Sequence, residues 1–251
     1  MISLKTAREL SLMRDAGRIA AEALLRVGEA VKPGVTTAEL NRIAHDYISH
    51  CGAAPTFLNY NGFPACACIS VNDEVIHGIP SKKRVLREGD LVSVDLGATY
   101  RGYVGDTAAS FAAGKLGETA QRLRETTRAA LFAAIPKAVP DGRVGDIGAA
   151  VQSYCEARGY SLVRDFTGHG VGKELHEDPS IPNVGTAGHG LRLRAGMTIA
   201  IEPMVNAGKS GVRVLPDGWT VKTKDGTLSA HFEHTIAITP NGAVILTKAE
   251  G

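Results

Sequence analysis

The apolar positions of this chain change period several times, and each change marks an element. From Thr6 to Val31 they fall at Leu10, Met13, Ile19, Ala23, Leu24 and Val27, the spacing of a helix with one buried face. Lys32-Pro33-Gly34 breaks it. Thr36 or Thr37 then caps a second helix running to about Ser49 and ended by Gly52. From Phe57 to Ile79 short strand-like pieces alternate with turns at Asn61-Gly62, Asn72-Asp73 and Gly78. In Leu86 to Thr107 the period drops toward two: Leu91, Val92 and Val94 lead to Asp95, a Gly- and Tyr-rich bend follows, and the chain returns to Asp106. A hairpin folded at Tyr100–Arg101 sets these two carboxylates opposite each other, roughly 5 Å apart at Cβ. Two like charges that close need compensation, for which a divalent cation is the usual source; the alternative reading is two exposed turn aspartates.

Farther on, Glu118 to about Val139 reads as a third helix, with Pro136 ending its regular part early. A fourth runs from about Gly145 to Arg158. Asp165 to His189 is Gly-rich and loop-like around two histidines, and Met197 to Ile201 alternates as a strand. Asp217-Gly218 and Asp225-Gly226 are hairpin-turn signals, so the stretch to Ile238 should zigzag as antiparallel strands.

A shift of 107 residues superposes much of this pattern. It carries Pro33 onto Pro140, Leu40 onto Ile147, Tyr47 onto Tyr154 and Gly52 onto Gly159. LREGDLVSVD (86–95) falls on LRAGMTIAIE (193–202), so Asp95 lands on Glu202. Each half is then two helices, an irregular stretch, and a strand ending in a carboxylate. Two such halves about a pseudo-twofold axis bring both strand ends to one centre. The expected unit is a single domain spanning 1–251, with halves of roughly 1–110 and 111–251.

Composition narrows the class. The chain has 251 residues, 44% hydrophobic and 22% charged, enough for a substantial core. A net charge of +2 gives no electrostatic argument for nucleic acid or an anionic membrane, and no apolar run approaches the roughly 18 residues needed to span a bilayer. The N-terminal MISLKTARELSLMRDAG lacks the apolar core of a signal peptide. Cys51, Cys66, Cys68 and Cys155 form no paired spacing and suit a reducing cytoplasm, Cys66 and Cys68 as half-buried strand residues.

Five candidate ligands collect: Asp95 and Asp106, Glu202 at the matching strand end, Glu233 in SAHFEHTIAI, and His169 in TGHGVG. Four carboxylates and an imidazole suit two divalent cations about 3.5 Å apart, a pair able to acidify a water and polarise a carbonyl. Taken singly, a strand glutamate faces solvent and a histidine among glycines is a loop residue; their joint occurrence at matched strand ends argues otherwise. His77 in VIHGIP and His176 in KELHEDP read as hydrogen-bond donors to a scissile amide and a developing oxyanion, or as buried structural histidines. His45, His50 and His189 read as surface or structural. His231 and His234 read as facing away from Glu233.

TGHGVGKELHEDP, VNDEVIHGIP, VSVDLGATYRGYVGDTA, IAIEPM and SAHFEHT together resemble the type I methionine aminopeptidases, in their short bacterial form, over essentially the whole chain. The resemblance implies an α/β pita-bread fold, two pseudo-twofold-related halves around a central antiparallel sheet with flanking helices. It implies two divalent metal ions (Co, Mn, Fe or Zn) held by Asp95, Asp106, His169, Glu202 and Glu233. It further implies that His77 contacts the substrate near the scissile nitrogen, that His176 stabilises the tetrahedral intermediate, and that Glu202 also shuttles a proton. The methionine pocket would be lined by Tyr60, Phe63, Cys68 and Trp219, with Phe57 and Leu175 nearby. Leu175 stands where some members have an aromatic residue. The implied reaction removes the initiator methionine from nascent polypeptides whose second residue is small, by a cytoplasmic monomer.

No zinc-finger extension and no type II insertion are expected. A proline-directed peptidase of the same fold is the nearest rival, although such enzymes carry an extra N-terminal domain for which Met1 to Thr36 is too short. A non-catalytic binding protein on this fold would be expected to have lost ligands. Lys209, Lys222 and Lys224 offer a ribosome-docking face, or simply a solvated basic one offset by Asp217 and Asp225.

Overall fold

The computed structural model describes residues 2–249; Met1, Glu250 and Gly251, the ends of the expected unit, lie outside them. The first helix, α1 (Ala7–Ala30), starts at a reciprocal cap. Glu9 N–H donates to Thr6 Oγ1 (3.3 Å) and Thr6 N–H to Glu9 Oε2 (2.8 Å). The device recurs at α2 (Thr37–His50), where Thr36 is the cap and Glu39 its partner. In the second half come α3 (Glu118–Ala134) and α4 (Val144–Glu156). As Pro136 requires, α3 ends at Ala134 and passes into a tighter turn over Ile135–Lys137.

The strands, in chain order, are β1 (Ala54–Pro55), β2 (Ala67–Val71), β3 (Glu74–Ile76), β4 (Asp90–Tyr100) and β5 (Tyr103–Ala113) in the first half. In the second half are β6 (Ser161–Leu162), β7 (Gly168–Gly170), β8 (Glu177–Ile181), β9 (Thr198–Ile201) and β10 (Met204–Asn206). The last five are β11 (Val212–Val214), β12 (Val221–Thr223), β13 (Ser229–His231), β14 (Glu233–Thr239) and β15 (Gly242–Ile245). Nine of them form one antiparallel sheet whose central order is β4-β5-β14-β9-β7-β8, with β1 and β2 beside β4 and β15 beside β14.

Both helix pairs pack on this sheet. Val92, Val94, Leu96 and Ala98 of β4 join a core with α1 and α2, and strand alternation therefore turns Asp95 to the other face. A second core joins α3 and α4 to Ile199, Ile201, Ile236 and Ile238 of β9 and β14. Helix α1 crosses β5 so closely that a Cβ on Gly105 would run into the backbone of Gly17, so the contact requires glycine. The 107-residue offset recurs in local geometry. Isolated bridges join Thr36 to Val85 and Arg143 to Arg192, and Gly52 and Gly159 both take positive φ, 70° and 81°, just past α2 and α4.

Four sequence expectations change. The hairpin turns at Arg101–Gly102, one residue later than Tyr100–Arg101; both residues have positive φ. Asp95 therefore lies opposite Ala108 and Asp106 opposite Gly97, so the two acids are diagonal neighbours on one face rather than a facing pair. The Gly-rich stretch from Asp165 to His189 is no continuous loop, because β7 and β8 lie in it and pair with each other. Asp217-Gly218 does close a β11–β12 hairpin, whereas Asp225-Gly226 leads from β12 into a different sheet, where β13 pairs with β10. Cys66 and Cys68 are buried, not half-buried, and all four cysteines are free. No helix among the described residues is long and apolar enough to cross a membrane.

Candidate metal centre and adjoining pocket

Five neighbouring strands each bring one donor to the same face. Asp95 is on β4, Asp106 on β5, Glu233 opens β14, Glu202 directly follows β9, and His169 is the middle residue of β7. The registers explain the convergence. Ala108 pairs with Asp95 on one side and with Glu233 on the other, giving one row across three strands. His234 pairs with Ile201, which brings Glu202 alongside Glu233. Cys68 extends the row beyond Asp95. At the middle of the row stands only the methyl group of Ala108, so the space between the acids is open.

Hydroxyls staple the strands beneath the row. Thr235 Oγ1 accepts from Asp106 N–H (3.1 Å) and donates to Asp106 O (2.8 Å), while Thr107 Oγ1 donates to Glu233 O (2.9 Å). Asn183 Nδ2 donates to Glu202 O at 2.9 Å. The donors themselves lack partners: Asp95 Oδ1, Asp106 Oδ1 and Glu233 Oε1 are buried without a hydrogen bond. Burial, then the charges of Asp106 and Glu202, push the Asp95 carboxyl well above the usual carboxylate range. Burial and the same neighbours, with Asp95, do so for Glu233.

His169 answers them. Its Nδ1–H donates to the Gly170 carbonyl (2.8 Å), leaving Nε2 directed at Asp106 Oδ2 (3.6 Å) and Glu202 Oε1 (3.5 Å). Burial alone would lower its pKa, but the nearby Asp106 and Glu202 carboxylates, with the Gly170 carbonyl, outweigh that and raise it to about 9. Donor atoms of Asp106, His169 and Glu233 all lie within 4.8 Å of one another. Orphaned carboxylate oxygens around a pre-oriented imidazole nitrogen are the donor set that divalent cations take.

Beside the centre is a cavity of about 230 Å³. All five donors line it, together with His77, His176 and every expected pocket residue: Tyr60, Phe63, Cys68, Trp219, Phe57 and Leu175. Phe63 and Trp219 meet edge to face, ring centres 5.1 Å apart, and Asp217 Oδ1 accepts from the backbone N–H of Trp219 (2.9 Å), which ties the turn that carries the indole. Burial, with the charges of Asp95 and Asp106, pushes the Cys68 thiol well up, so that wall is a neutral, polarisable sulfur.

The two outer histidines are held differently. His176 Nδ1 is 2.8 Å from the Tyr60 hydroxyl, and its ring centre is 4.2 Å from that of His169. Burial and the neighbouring His169 lower its pKa. The loop carrying Leu175 and His176 is tied at Glu177, which accepts from Lys173 N–H and pairs with Lys5. His77 has a positive φ of 59°, unusual for a residue with a side chain, and is pinned by Ile69 N–H donating to Gly78 O (2.8 Å) and Gly78 N–H to Ser70 Oγ (3.0 Å). Burial drives its pKa down to about 4, so the ring is neutral at pH 7.

His45, His50 and His189 are exposed. His234 does face away, bonded to Thr247 Oγ1 (2.9 Å) and edge-on to Phe132, ring centres 5.7 Å apart. His231 does not: it is buried, with Nε2 3.7 Å from Glu202 Oε2. Strand parity was the available signal, since His231 and Glu233 are two residues apart. Phe166, edge-on to His77 at 5.8 Å, and Asn61 on the cavity wall were also missed, and nothing in the sequence marks them.

The profile of metallopeptidase family M24 matches residues 11–240. The methionine aminopeptidase of Clostridium acetobutylicum is 51% identical over 250 residues, covering 100% of both chains. The solved structure of a methionine aminopeptidase from Thermotoga maritima superposes with a TM-score of 0.97 at 47% identity, over 99% of this chain and 100% of that one. A prolidase from Pyrococcus horikoshii gives 0.76 at 26% identity, over 98% of this chain and 64% of that one. The fold is the pita-bread fold, and the class it defines is that of metal-dependent peptidases. The chain belongs to metallopeptidase family M24 and, within it, to the methionine aminopeptidases.

Proposed function

We propose that this methionine aminopeptidase removes the initiator methionine from newly made polypeptides whose second residue is small, with two divalent cations held by Asp95, Asp106, His169, Glu202 and Glu233. The observation that carries the reading is the convergence of five donors from adjacent strands, with Asp95, Asp106 and Glu233 each holding an unpartnered buried oxygen, beside a soft-walled cavity of about 230 Å³. Bound there, the cations would polarise the substrate carbonyl and acidify a water.

The side chains do the rest. Phe63, Trp219, Tyr60 and Cys68 bind the thioether side chain, and Phe57 and Leu175 close the wall behind them. With the Tyr60 hydroxyl donating to its Nδ1, His176 presents Nε2–H to the carbonyl oxygen as negative charge develops there. His77, neutral, contacts the substrate near the scissile nitrogen. Glu202, less enclosed than Glu233, carries a proton to the leaving amine.

The proposed working unit is a cytoplasmic monomer, one catalytic domain with an internal repeat, acting without nucleic acid or membrane. Lys209 and Lys224 remain available for a ribosome-docking face, whereas Lys222 is engaged by Asp73 at 2.7 Å. The test is metal-stripped protein restored separately with Co, Mn, Fe or Zn and assayed on Met-Ala-Ser, Met-Leu-Ser and an X-Pro peptide. Metal-dependent cleavage of Met-Ala-Ser, with Met-Leu-Ser spared, is the expected result. Preference for the X-Pro peptide, or stoichiometric metal binding without cleavage, overturns the reading.

A further inference from the structure

His231 is a buried histidine at the centre that the chemistry above does not employ. It is 1% exposed, and neither ring nitrogen has a hydrogen-bond partner. Leaving a buried polar group unpaired costs about 1–3 kcal/mol. Yet its placement is firmly determined. Ser110 Oγ accepts from His231 N–H and donates to His231 O, both at 3.0 Å, and Ser93 Oγ backs Ser110 Oγ at 2.8 Å. On its other side His231 pairs with Met204, two residues beyond Glu202. Two strands and two serines thus hold an imidazole whose Nε2 looks at Glu202 Oε2 from 3.7 Å.

The two oxygens of Glu202 are divided between two rings: Oε1 faces His169 Nε2 at 3.5 Å, and Oε2 faces His231. We propose that His231 is a positioning residue for Glu202: its Nε2–H donates to Oε2 and so fixes the direction of Oε1 toward the centre. The present 3.7 Å is too long for a hydrogen bond, and a movement of less than an ångström by the Glu202 side chain, 12% exposed, closes it, as contacts at reactive centres commonly tighten when the working complex forms. A carboxylate that both ligates and passes a proton needs one oxygen held still, and removing such outer partners costs about 10–100-fold in metal affinity or activity. This inference rests on the reading of Glu202 as ligand and proton carrier.

The experiment compares His231→Gln, which keeps a side-chain N–H, with His231→Leu, which keeps the volume and loses the donor. Three quantities are read: kcat and KM on Met-Ala-Ser at saturating Mn, MnCl2 affinity of the stripped proteins by calorimetry, and melting of the stripped proteins. His231→Leu should lower kcat about 10–100-fold with KM within about twofold, and weaken Mn binding about tenfold, while His231→Gln recovers both to within a few-fold. Unchanged kcat and affinity in His231→Leu overturn the proposal, as does an equal loss in both variants, which marks a packing role. Where His231→Leu fails to fold, His231→Asn replaces it: its amide is too short to reach Glu202, so full activity there also overturns the proposal. Failure of the wild-type protein to cleave Met-Ala-Ser after Mn restoration would count against the function, not against His231.

Discussion

The two halves of the molecule supply the centre by different means. The first contributes Asp95 and Asp106 from one uninterrupted hairpin of two eleven-residue strands, β4 and β5, joined by a tight turn. The second contributes His169, Glu202 and Glu233 from three short, separate strands, with the β10 to β13 excursion between the last two. At the 107-residue offset Asp95 meets Glu202, but Asp106 meets Arg213, an exposed residue of β11 in another sheet. The difference shows that equivalent chain positions are not equivalent donors. A donor counts only where hydrogen-bond register carries it into the row, and the register of the second half carries Glu233 there instead.

Three substitutions test that contrast, from large effect to none. Glu202→Gln removes the second half's counterpart of Asp95 while preserving shape. Turnover of Met-Ala-Ser should fall about 10²–10⁴-fold with an unchanged circular dichroism spectrum, and near-normal hydrolysis would break the equivalence of the two strand ends. His176→Ala removes a hydrogen-bond donor with no counterpart at the 107-residue offset, where Ile69 stands. It should lower kcat roughly 10²–10³-fold with little change in KM, and an effect confined to KM would mean that His176 merely positions substrate. Arg213→Asp restores an acid at the position matching Asp106. Because that site is exposed and off the sheet, metal stoichiometry by calorimetry should not change and stability should shift within about 0.5 kcal/mol. An additional bound ion would show that chain position alone does recruit donors.

Much of this was legible in the sequence because it is local. The helices follow from apolar period and breakers, and of Thr36 and Thr37, both offered as the cap of the second helix, Thr36 is the one that bonds. The donor set was legible through the repeated strand ends and the resemblance. What escaped depends on pairing. One residue of error in the turn made diagonal acids look like facing ones, because each residue of turn position moves the partner by two. The glycines around His169 hid a short strand, one of whose partners, Ile199 opposite Gly170, is far away in the chain. Asp225-Gly226 looked like the preceding hairpin turn but leads to another sheet. His231 was missed although its two-residue spacing from Glu233 allowed both side chains the same face.

The row centred on Ala108 makes the chemistry a matter of odd and even numbers. Side chains on a strand alternate between the helix-covered face and the donor face, so one residue inserted within β5 ahead of Asp106 would carry its carboxylate through to the wrong side of the sheet. The same insertion at Arg101–Gly102 would only enlarge a surface turn. Drift in the length of this chain is therefore tolerated at the hairpin tip and forbidden a few residues away, where deletions and insertions are as damaging as loss of the acid itself.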